Sequence, residues 1–332
     1  MKKTLIIAEV GPNHNGRLDL AYKLIDIAVK IGADIVKFQT SIPRLGISKY
    51  AQKADYQKSD NKNESQLKMA EKISLKLEDF YKLKKYCIKK KIEFLSTPFD
   101  FESIELLKKL KVKRIKIPSG EINNLPYLIE VAKLKKEIIL STGMSSLKEV
   151  KSALKIIKKY SKKNKITVLH CTTQYPAPFK DLNLNVIKTL RKELKCDIGY
   201  SDHSPGIEAS LAAVCLGAKI IEKHITLDKK MKGPDHKASL EPEEFKLMID
   251  SIRNIEDSFG NYEKKITKSE RKIILIARKS IVASKPIKKG EKFSDNNITV
   301  KRPALGLSPM NWFDVIGKRS KKNYSEDQFI EI

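Results

Sequence analysis

Cys196-Asp-Ile-Gly-Tyr-Ser201 runs into Asp202-His203-Ser204, and Ala218-Lys-Ile-Ile-Glu222 runs into Lys223-His224. Between them lies Gly206-Ile-Glu-Ala-Ser-Leu-Ala-Ala-Val-Cys-Leu-Gly217, apolar at helical spacing and closed by a glycine. The order is strand, helix, strand, with a histidine at the carboxyl end of each strand. In a parallel α/β sheet those ends carry the chemistry. Either imidazole alone could cap its strand by bonding to backbone. Two in matching positions on adjacent strands can share one metal ion.

Read outward, the same unit repeats. Thr4-Leu-Ile-Ile-Ala-Glu9 is a buried strand that breaks into the turn-rich Gly11-Pro-Asn-His-Asn-Gly16, and a helix pattern with Leu20, Leu24, Ile25 and Ala28 on one face follows. Asp34-Ile-Val-Lys-Phe-Gln39, Ile92-Glu-Phe-Leu-Ser-Thr97, Arg114-Ile-Lys-Ile-Pro118, Glu137-Ile-Ile-Leu-Ser141 and Ile166-Thr-Val-Leu-His-Cys171 complete eight strands, each followed by a helical stretch. Eight βα units within about 260 residues predict a (β/α)8 TIM barrel. No glycine-rich fingerprint follows the first strand, so a doubly wound open sheet lacks support. The polar stretch from Thr40 to Gln66, with Ser59-Asp-Asn-Lys-Asn-Glu-Ser65, is too long for an ordinary connection and is expected to be an active-site loop or lid.

The barrel is expected over 1–258, closing with a helix that opens at Pro242. A lysine-rich linker follows at 259–275. The remaining residues, 276–332, carry Lys279-Ser-Ile-Val-Ala-Ser284 and Asn297-Ile-Thr-Val-Lys301 and predict a small, mostly β module.

Composition bounds the function. The chain has 332 residues and a formal net charge of +27. The lysines are spread over the whole length and fall mainly on polar helix faces, so a solvated basic surface is expected rather than a nucleic-acid partner. The charge can still gather anionic substrates. No run is long enough to span a membrane, and the apolar stretch after Met1-Lys2-Lys3 is too short for a signal peptide. Cys87, Cys171, Cys196 and Cys215 form no CxxC pattern, which suggests a cytoplasmic protein without disulfides.

The strand ends hold residues that bind, ionise or coordinate: Glu9, Lys37, Gln39, Thr97, Lys116, Ser119, Glu121, Ser141, Thr173, Tyr175, Ser201, His203 and His224. A barrel core favours Val, Ile and Leu, so charged ends need a use or a partner. Lys37 and Lys116 could pair with Glu9 and Glu121. Alternatively, two lysines among serines and the Ser-Gly and Thr-Gly turns make an anion cradle. His203 and His224, with water and substrate oxygen, suit Mn²⁺, or else Mg²⁺ or Co²⁺, better than structural zinc. His14 and His236 are weaker metal candidates in loops, and His170, inside a strand, reads as structural.

These residues fall in a pattern that resembles the sialic acid synthases, including legionaminate-type nonulosonic acid synthases. The matching stretches are Ala8-Glu-Val-Gly-Pro-Asn-His-Asn-Gly16, Val36-Lys-Phe-Gln-Thr40, Leu95-Ser-Thr-Pro-Phe-Asp100, Lys116-Ile-Pro-Ser-Gly-Glu121, Leu140-Ser-Thr-Gly-Met144, Tyr200-Ser-Asp-His203, Ile221-Glu-Lys-His224, Gly233-Pro-Asp-His236 and Lys301-Arg-Pro303. The resemblance implies condensation of phosphoenolpyruvate with an N-acylated hexosamine aldehyde and water, with release of phosphate. N-acetylmannosamine is the first choice of sugar and 2,4-diacetamido-2,4,6-trideoxymannose, leading to N,N'-diacetyllegionaminate, the alternative. The resemblance also implies an antifreeze-like (SAF, β-clip) C-terminal module and a domain-swapped homodimer. Carried over, Lys37 and Thr97 would hold the carboxylate of phosphoenolpyruvate, and Lys116, Ser119, Ser141, Thr173 and Ser201 its phosphate. Glu9, Gln39, Tyr175 and Asp235 would line the sugar site, Arg302 would come from the second subunit to the N-acyl group, and His203 and His224 would bind the metal. Glu9 is the leading group for proton handling.

The chain departs from the family pattern at Thr173, where some members have Asn. It departs again at Pro303-Ala-Leu-Gly306, usually Pro-Gly-Asn-Gly; the apolar Ala304-Leu305 suits a deoxy or more acylated sugar. A metal-dependent aldolase running on pyruvate is the remoter enzyme reading, and it would have little use for so many anion ligands.

Overall fold

The computed structural model describes residues 3–58, 64–162 and 164–332. The chain divides by its contacts into two compact units, Met1–Phe259 and Gly260–Ile332.

The first unit alternates strand and helix. In order it comprises β1 (Leu5–Gly11), α1 (Leu18–Lys30), β2 (Ile35–Thr40), α2 (Pro43–Gly46), α3 (Gln66–Ile73), α4 (Asp79–Lys90), β3 (Glu93–Pro98), α5 (Phe101–Lys109), β4 (Arg114–Ile117), α6 (Leu125–Lys133), β5 (Glu137–Ser141), α7 (Leu147–Tyr160), β6 (Ile166–Cys171), α8 (Val186–Leu194), β7 (Asp197–Asp202), α9 (Glu208–Cys215), β8 (Ile220–His224) and α10 (Pro242–Ser258). The strands are parallel and ordered β3-β2-β1-β8-β7-β6-β5-β4, and β3 also lies against β4, so the sheet closes nearly into a ring. This is the expected (β/α)8 barrel.

The period of two along each strand sorts side chains into layers. Outward residues such as Ile6, Ala8, Val36, Phe38 and Val168 pack under the helices. Inward, Ile7, Ile35, Leu95, Ile139, Leu169 and Ile220 form a dry central layer. Gly199 belongs to this layer because a Cβ there would meet Leu169 Cδ2 and Ile220 O, each at 2.6 Å. Below it, Arg114 Nε donates to Glu137 Oε2 at 2.7 Å, and Arg114 also pairs with Glu93, so the floor of the barrel is ion-paired. Above it, the inward positions are polar, and these are the strand ends of interest.

The stretch expected as one long loop is partly helical. It contains α2 and leads into α3, whose N-cap Ser65 accepts a hydrogen bond from Lys68 N. Residues 59–63 of that stretch lie outside the described residues.

The second unit holds α11 (Glu270–Ala277), the antiparallel pair β9 (Ser280–Ala283) and β10 (Ile298–Lys301), and α12 (Trp312–Val315). Isolated bridges Val282–Phe329, Ile287–Tyr324 and Lys292–Arg319 tie its loops together around Ile281, Ile287, Phe293, Ile298, Val315 and Ile330. The last third of the stretch expected as linker is thus taken up by α11. Among the described residues no helix is long and apolar enough to cross a membrane.

Candidate active site

The polar strand ends surround one cavity of about 350 Å³, within the range of small-molecule sites. Glu9, Lys37, Gln39, Thr97, Lys116, Ser119, Glu121, Ser141, Thr173, Tyr175, Ser201, His203, His224 and Asp235 all line it. Arg302 lies apart in sequence, exposed at the end of β10 in the second unit.

Four buried charges make the cavity floor. Glu222 Oε2 lies 2.9 Å from Lys37 Nζ, and Oε1 lies 3.0 Å from Lys116 Nζ and accepts from Ser201 Oγ at 2.9 Å. Lys37 Nζ also lies 3.3 Å from Glu9 Oε2, and Gln39 Nε2 donates to Glu9 Oε1 at 3.0 Å. A pair with Glu121 was one of the two readings left open for Lys116. The structure corrects this: Glu121 sits in the turn after β4 and accepts from its neighbour Asn124 at 2.6 Å, while Lys116 reaches across the barrel to Glu222. Glu222 itself was quoted only as part of a motif. The period of two could have found it, since it stands two residues before the inward His224.

Burial works against charge on all four, and their partners decide the outcome. Glu222 stays well below the usual carboxylate range because Lys116 and Lys37 outweigh desolvation. Burial raises Glu9, against the pull of Lys37. Lys37 also loses solvation, but two carboxylates push it up to about 12. Lys116 is lowered by burial, with Glu222 opposing and the charge of Lys37 assisting. The floor thus sets two lysines against Glu222, which they hold ionised, and Glu9, whose charged form burial disfavours.

Beside the lysines stand hydroxyls. Gly143 N donates to Ser119 Oγ at 2.9 Å. A Cβ on Gly143 would lie 2.0 Å from Thr173 Oγ1 and 3.0 Å from Ser119 Oγ, so only glycine lets these three groups converge. Thr97 Oγ1, Ser141 Oγ and Thr173 Oγ1 are buried without a hydrogen-bond partner among the described residues. Buried hydroxyls are ordinarily satisfied, so an unpartnered set facing one cavity marks a place for a ligand.

The two strand-end histidines meet at the other side. Their ring centroids are 5.6 Å apart, and Tyr175 lies 4.1 Å from the ring of His203 and 5.7 Å from that of His224. His203 Nδ1 donates to Thr172 O at 2.7 Å, with Cys171 Sγ at 3.7 Å, which leaves Nε2 for a ligand. Burial depresses His203, but Cys171 and the Thr172 carbonyl lift it above its ordinary value. His224 is held well below its ordinary value by burial and by His203 and Lys37, so it is neutral, and its buried Nδ1 has no hydrogen-bond partner. Asp235 Oδ2 lies 3.6 Å from that nitrogen, and burial raises its carboxyl to about 7. Two neutral-capable imidazoles with a free nitrogen each fit a divalent ion that takes its remaining ligands from water and substrate. Among the described residues no group of three or more His, Cys, Asp or Glu is arranged to hold a metal ion by itself.

The remaining histidines are spoken for. His170 Nε2 bonds Leu182 O at 2.7 Å, and His236 Nδ1 bonds Thr226 Oγ1 at 2.7 Å. His14 Nδ1 accepts from Gly16 N at 3.1 Å.

The chain is similar to known proteins over almost its whole length. Residues 24–264 match the NeuB family and residues 278–331 the SAF domain. The chain is 56% identical, over 99% of both chains, to N,N'-diacetyllegionaminic acid synthase of Campylobacter jejuni subsp. jejuni. It is 35% identical to human N-acetylneuraminate-9-phosphate synthase, over 98% of this chain and 90% of the human one. The crystal structure of N-acetylneuraminic acid (sialic acid) synthetase from Leptospira borgpetersenii in complex with citrate superposes with a TM-score of 0.72 at 36% identity, covering 82% of this chain and 90% of that one. With a (β/α)8 barrel, a lysine-and-hydroxyl floor and a histidine pair at its mouth, the chain belongs to the NeuB family and carries a SAF domain.

Proposed function

We propose that this protein is a nonulosonic acid synthase that joins phosphoenolpyruvate to an N-acylated hexosamine aldehyde and releases phosphate. The carrying observation is the buried floor, in which Lys37 and Lys116 sit beside the unpartnered hydroxyls of Thr97, Ser141 and Thr173. A doubly anionic substrate suits it: Lys37 and Thr97 take the carboxylate, and Lys116, Ser119, Ser141, Thr173 and Ser201 take the phosphate. Its negative charge favours the ammonium form that burial disfavours on Lys116.

His203 and His224 would hold a divalent metal, Mn²⁺ first, with Mg²⁺ or Co²⁺ as alternatives. Bound there, such an ion would polarise the aldehyde carbonyl. Tyr175, packed on both imidazoles, fixes their orientation and the near wall of the sugar site. The C3 carbon of phosphoenolpyruvate attacks the aldehyde carbon, forming the new C–C bond and leaving a cation at C2. Water adds to C2, and the tetrahedral intermediate breaks its C–O bond to phosphate. Glu9, raised by burial, and Asp235, near 7, are the carboxyls able to hold or move a proton at the new hydroxyl and the attacking water. Gln39 orients Glu9, and Glu121 stands at the rim of the substrate site.

The sugar is N-acetylmannosamine or the 2,4-diacetamido trideoxy sugar, and the 56% identical Campylobacter relative favours the second. The catalytic barrel (1–258) is joined through 259–275 to the SAF module (276–332). The chain works as a homodimer in which Arg302 serves the second subunit's N-acyl site. Ile273, Leu275 and Ile276 of α11 are exposed, an apolar surface that a second chain would cover.

Phosphate release from phosphoenolpyruvate, with Mn²⁺ and each sugar in turn, tests the reading. Sugar-dependent release is expected, and His203→Ala should lower it at least a hundredfold while the protein remains folded by circular dichroism. Full turnover in that variant would remove the metal assignment. Condensation of pyruvate with the sugar, with no release of phosphate, would favour the aldolase.

A further inference from the structure

The cavity changes chemistry from one side to the other. Its β4–β7 side is ammonium and hydroxyl, and Lys37 and Thr97 extend this polar floor to the ends of β2 and β3. With Ser41, Gln57, Gln66 and Ser74 also lining it, its opposite side, above β2 and β3, carries a hydrocarbon patch: Ile42 and Ile47 from the α2 segment, Met69, Ala70 and Ile73 from α3, and Phe99 after β3. All six are half-buried. α3 buries none of its residues in the core, so its apolar face, at i, i+1 and i+4, looks into the cavity instead. The helix is firmly placed. Ser74 Oγ donates to Ala70 O at 2.7 Å, and a Cβ on Gly16 would come within 2.7 Å of Lys72 O, so the β1–α1 loop runs directly against the last turn.

We propose that this hydrocarbon shelf selects the sugar, by seating the C4–C6 end of a 4-acylamino, 6-deoxy aldose. The inference rests on the synthase reading and deepens it. With phosphate against β4–β7 and the aldehyde carbon between the imidazoles, the sugar chain runs over Glu9 and Gln39 toward β2 and β3. Its remote carbons reach the shelf. A methyl at C6 is dehydrated there without loss, whereas a hydroxymethyl set against the Ile, Met and Phe side chains would give up water for no hydrogen bond from them. A hydrophobic pocket discriminates against one added hydroxyl by about a hundredfold at best. Gln66, one turn outward on the same helix face, leaves a polar rim for the acylamino group.

The test compares kcat/KM for phosphate release with 2,4-diacetamido-2,4,6-trideoxymannose and with N-acetylmannosamine, at saturating phosphoenolpyruvate, in the full-length metal-loaded protein. The wild type is expected to prefer the deoxy sugar by about tenfold or more. Ile73→Asn and Met69→Gln should each cut that ratio at least about fivefold, chiefly through KM for the deoxy sugar, and Met69→Leu, which conserves volume, should keep it. A preference that survives both polar variants would overturn the shelf and leave the synthase standing, as would a wild type that prefers N-acetylmannosamine. No sugar-dependent release with either sugar would overturn the synthase reading and the shelf with it.

Discussion

His14 shows what a single buried group contributes. It is buried, stacks against Phe38 with ring centroids 6.3 Å apart, and its Nδ1 accepts from Gly16 N, which only a neutral imidazole can do. Burial lowers its pKa from 6.5 to about 4. The folded state therefore resists a proton that the unfolded chain accepts. The stability tied to neutral His14 is fully present above pH 6.5 and is lost as pH falls from 6.5 through 4, by at most about 3 kcal/mol. Urea midpoints of metal-free protein at pH 7 and pH 4.5 should differ less in His14→Gln than in the wild type. Equal differences in the two proteins would show that His14 does not carry the acid sensitivity. Residue reading from sequence was uneven for a related reason. Strand-end types exposed the lysines, hydroxyls and histidines. Pairing did not follow, because Lys116 and Glu222 are distant in sequence and meet only once the barrel closes.

At the scale of elements, β7 and β8 are joined behind the histidines by a second buried pair. Lys223 Nζ donates to Asp202 Oδ2 at 2.8 Å and to Ser204 O at 2.6 Å. Asp202 also accepts from Ser204 N at 2.9 Å and from Ser210 Oγ of α9 at 2.7 Å. Both charged residues are wholly buried and stand one position from a candidate metal ligand. Lys223→Met would leave Asp202 charged and unpaired in the interior, a loss of about 3–5 kcal/mol. The denaturant midpoint should fall accordingly, and Asp202→Asn added to Lys223→Met should recover part of it. A midpoint unmoved by Lys223→Met would show the pair to be energetically idle. The strands were legible because each is a short apolar run ending in polar residues. α3 was not: it is short, opens polar, and turns its apolar face to the cavity, so it lacks the core-facing stripe that a helix search looks for.

Across the whole molecule, a formal charge of +27 surrounds a cavity meant for an anion. Such a surface raises the local concentration of phosphoenolpyruvate, and salt screens it over about 10 Å at 0.1 M. The kcat/KM for phosphoenolpyruvate should fall several-fold between roughly 0.05 and 0.3 M ionic strength, with kcat changing much less. A flat profile in an inert salt would confine the charge to solubility. The division into a barrel and a β module was legible from the change in element pattern near residue 260. α11 was hidden by its lysine-rich approach.

The dry layer of Ile7, Ile35, Leu95, Ile139, Leu169 and Ile220 sits beneath the charged floor and above the Arg114 ion pairs. Among the described residues it separates the cavity from the far end of the barrel. On the proposed reading, phosphoenolpyruvate against Lys116 and Ser141 would lie deeper than the sugar. That depth makes the deeper reactant the one expected to enter first.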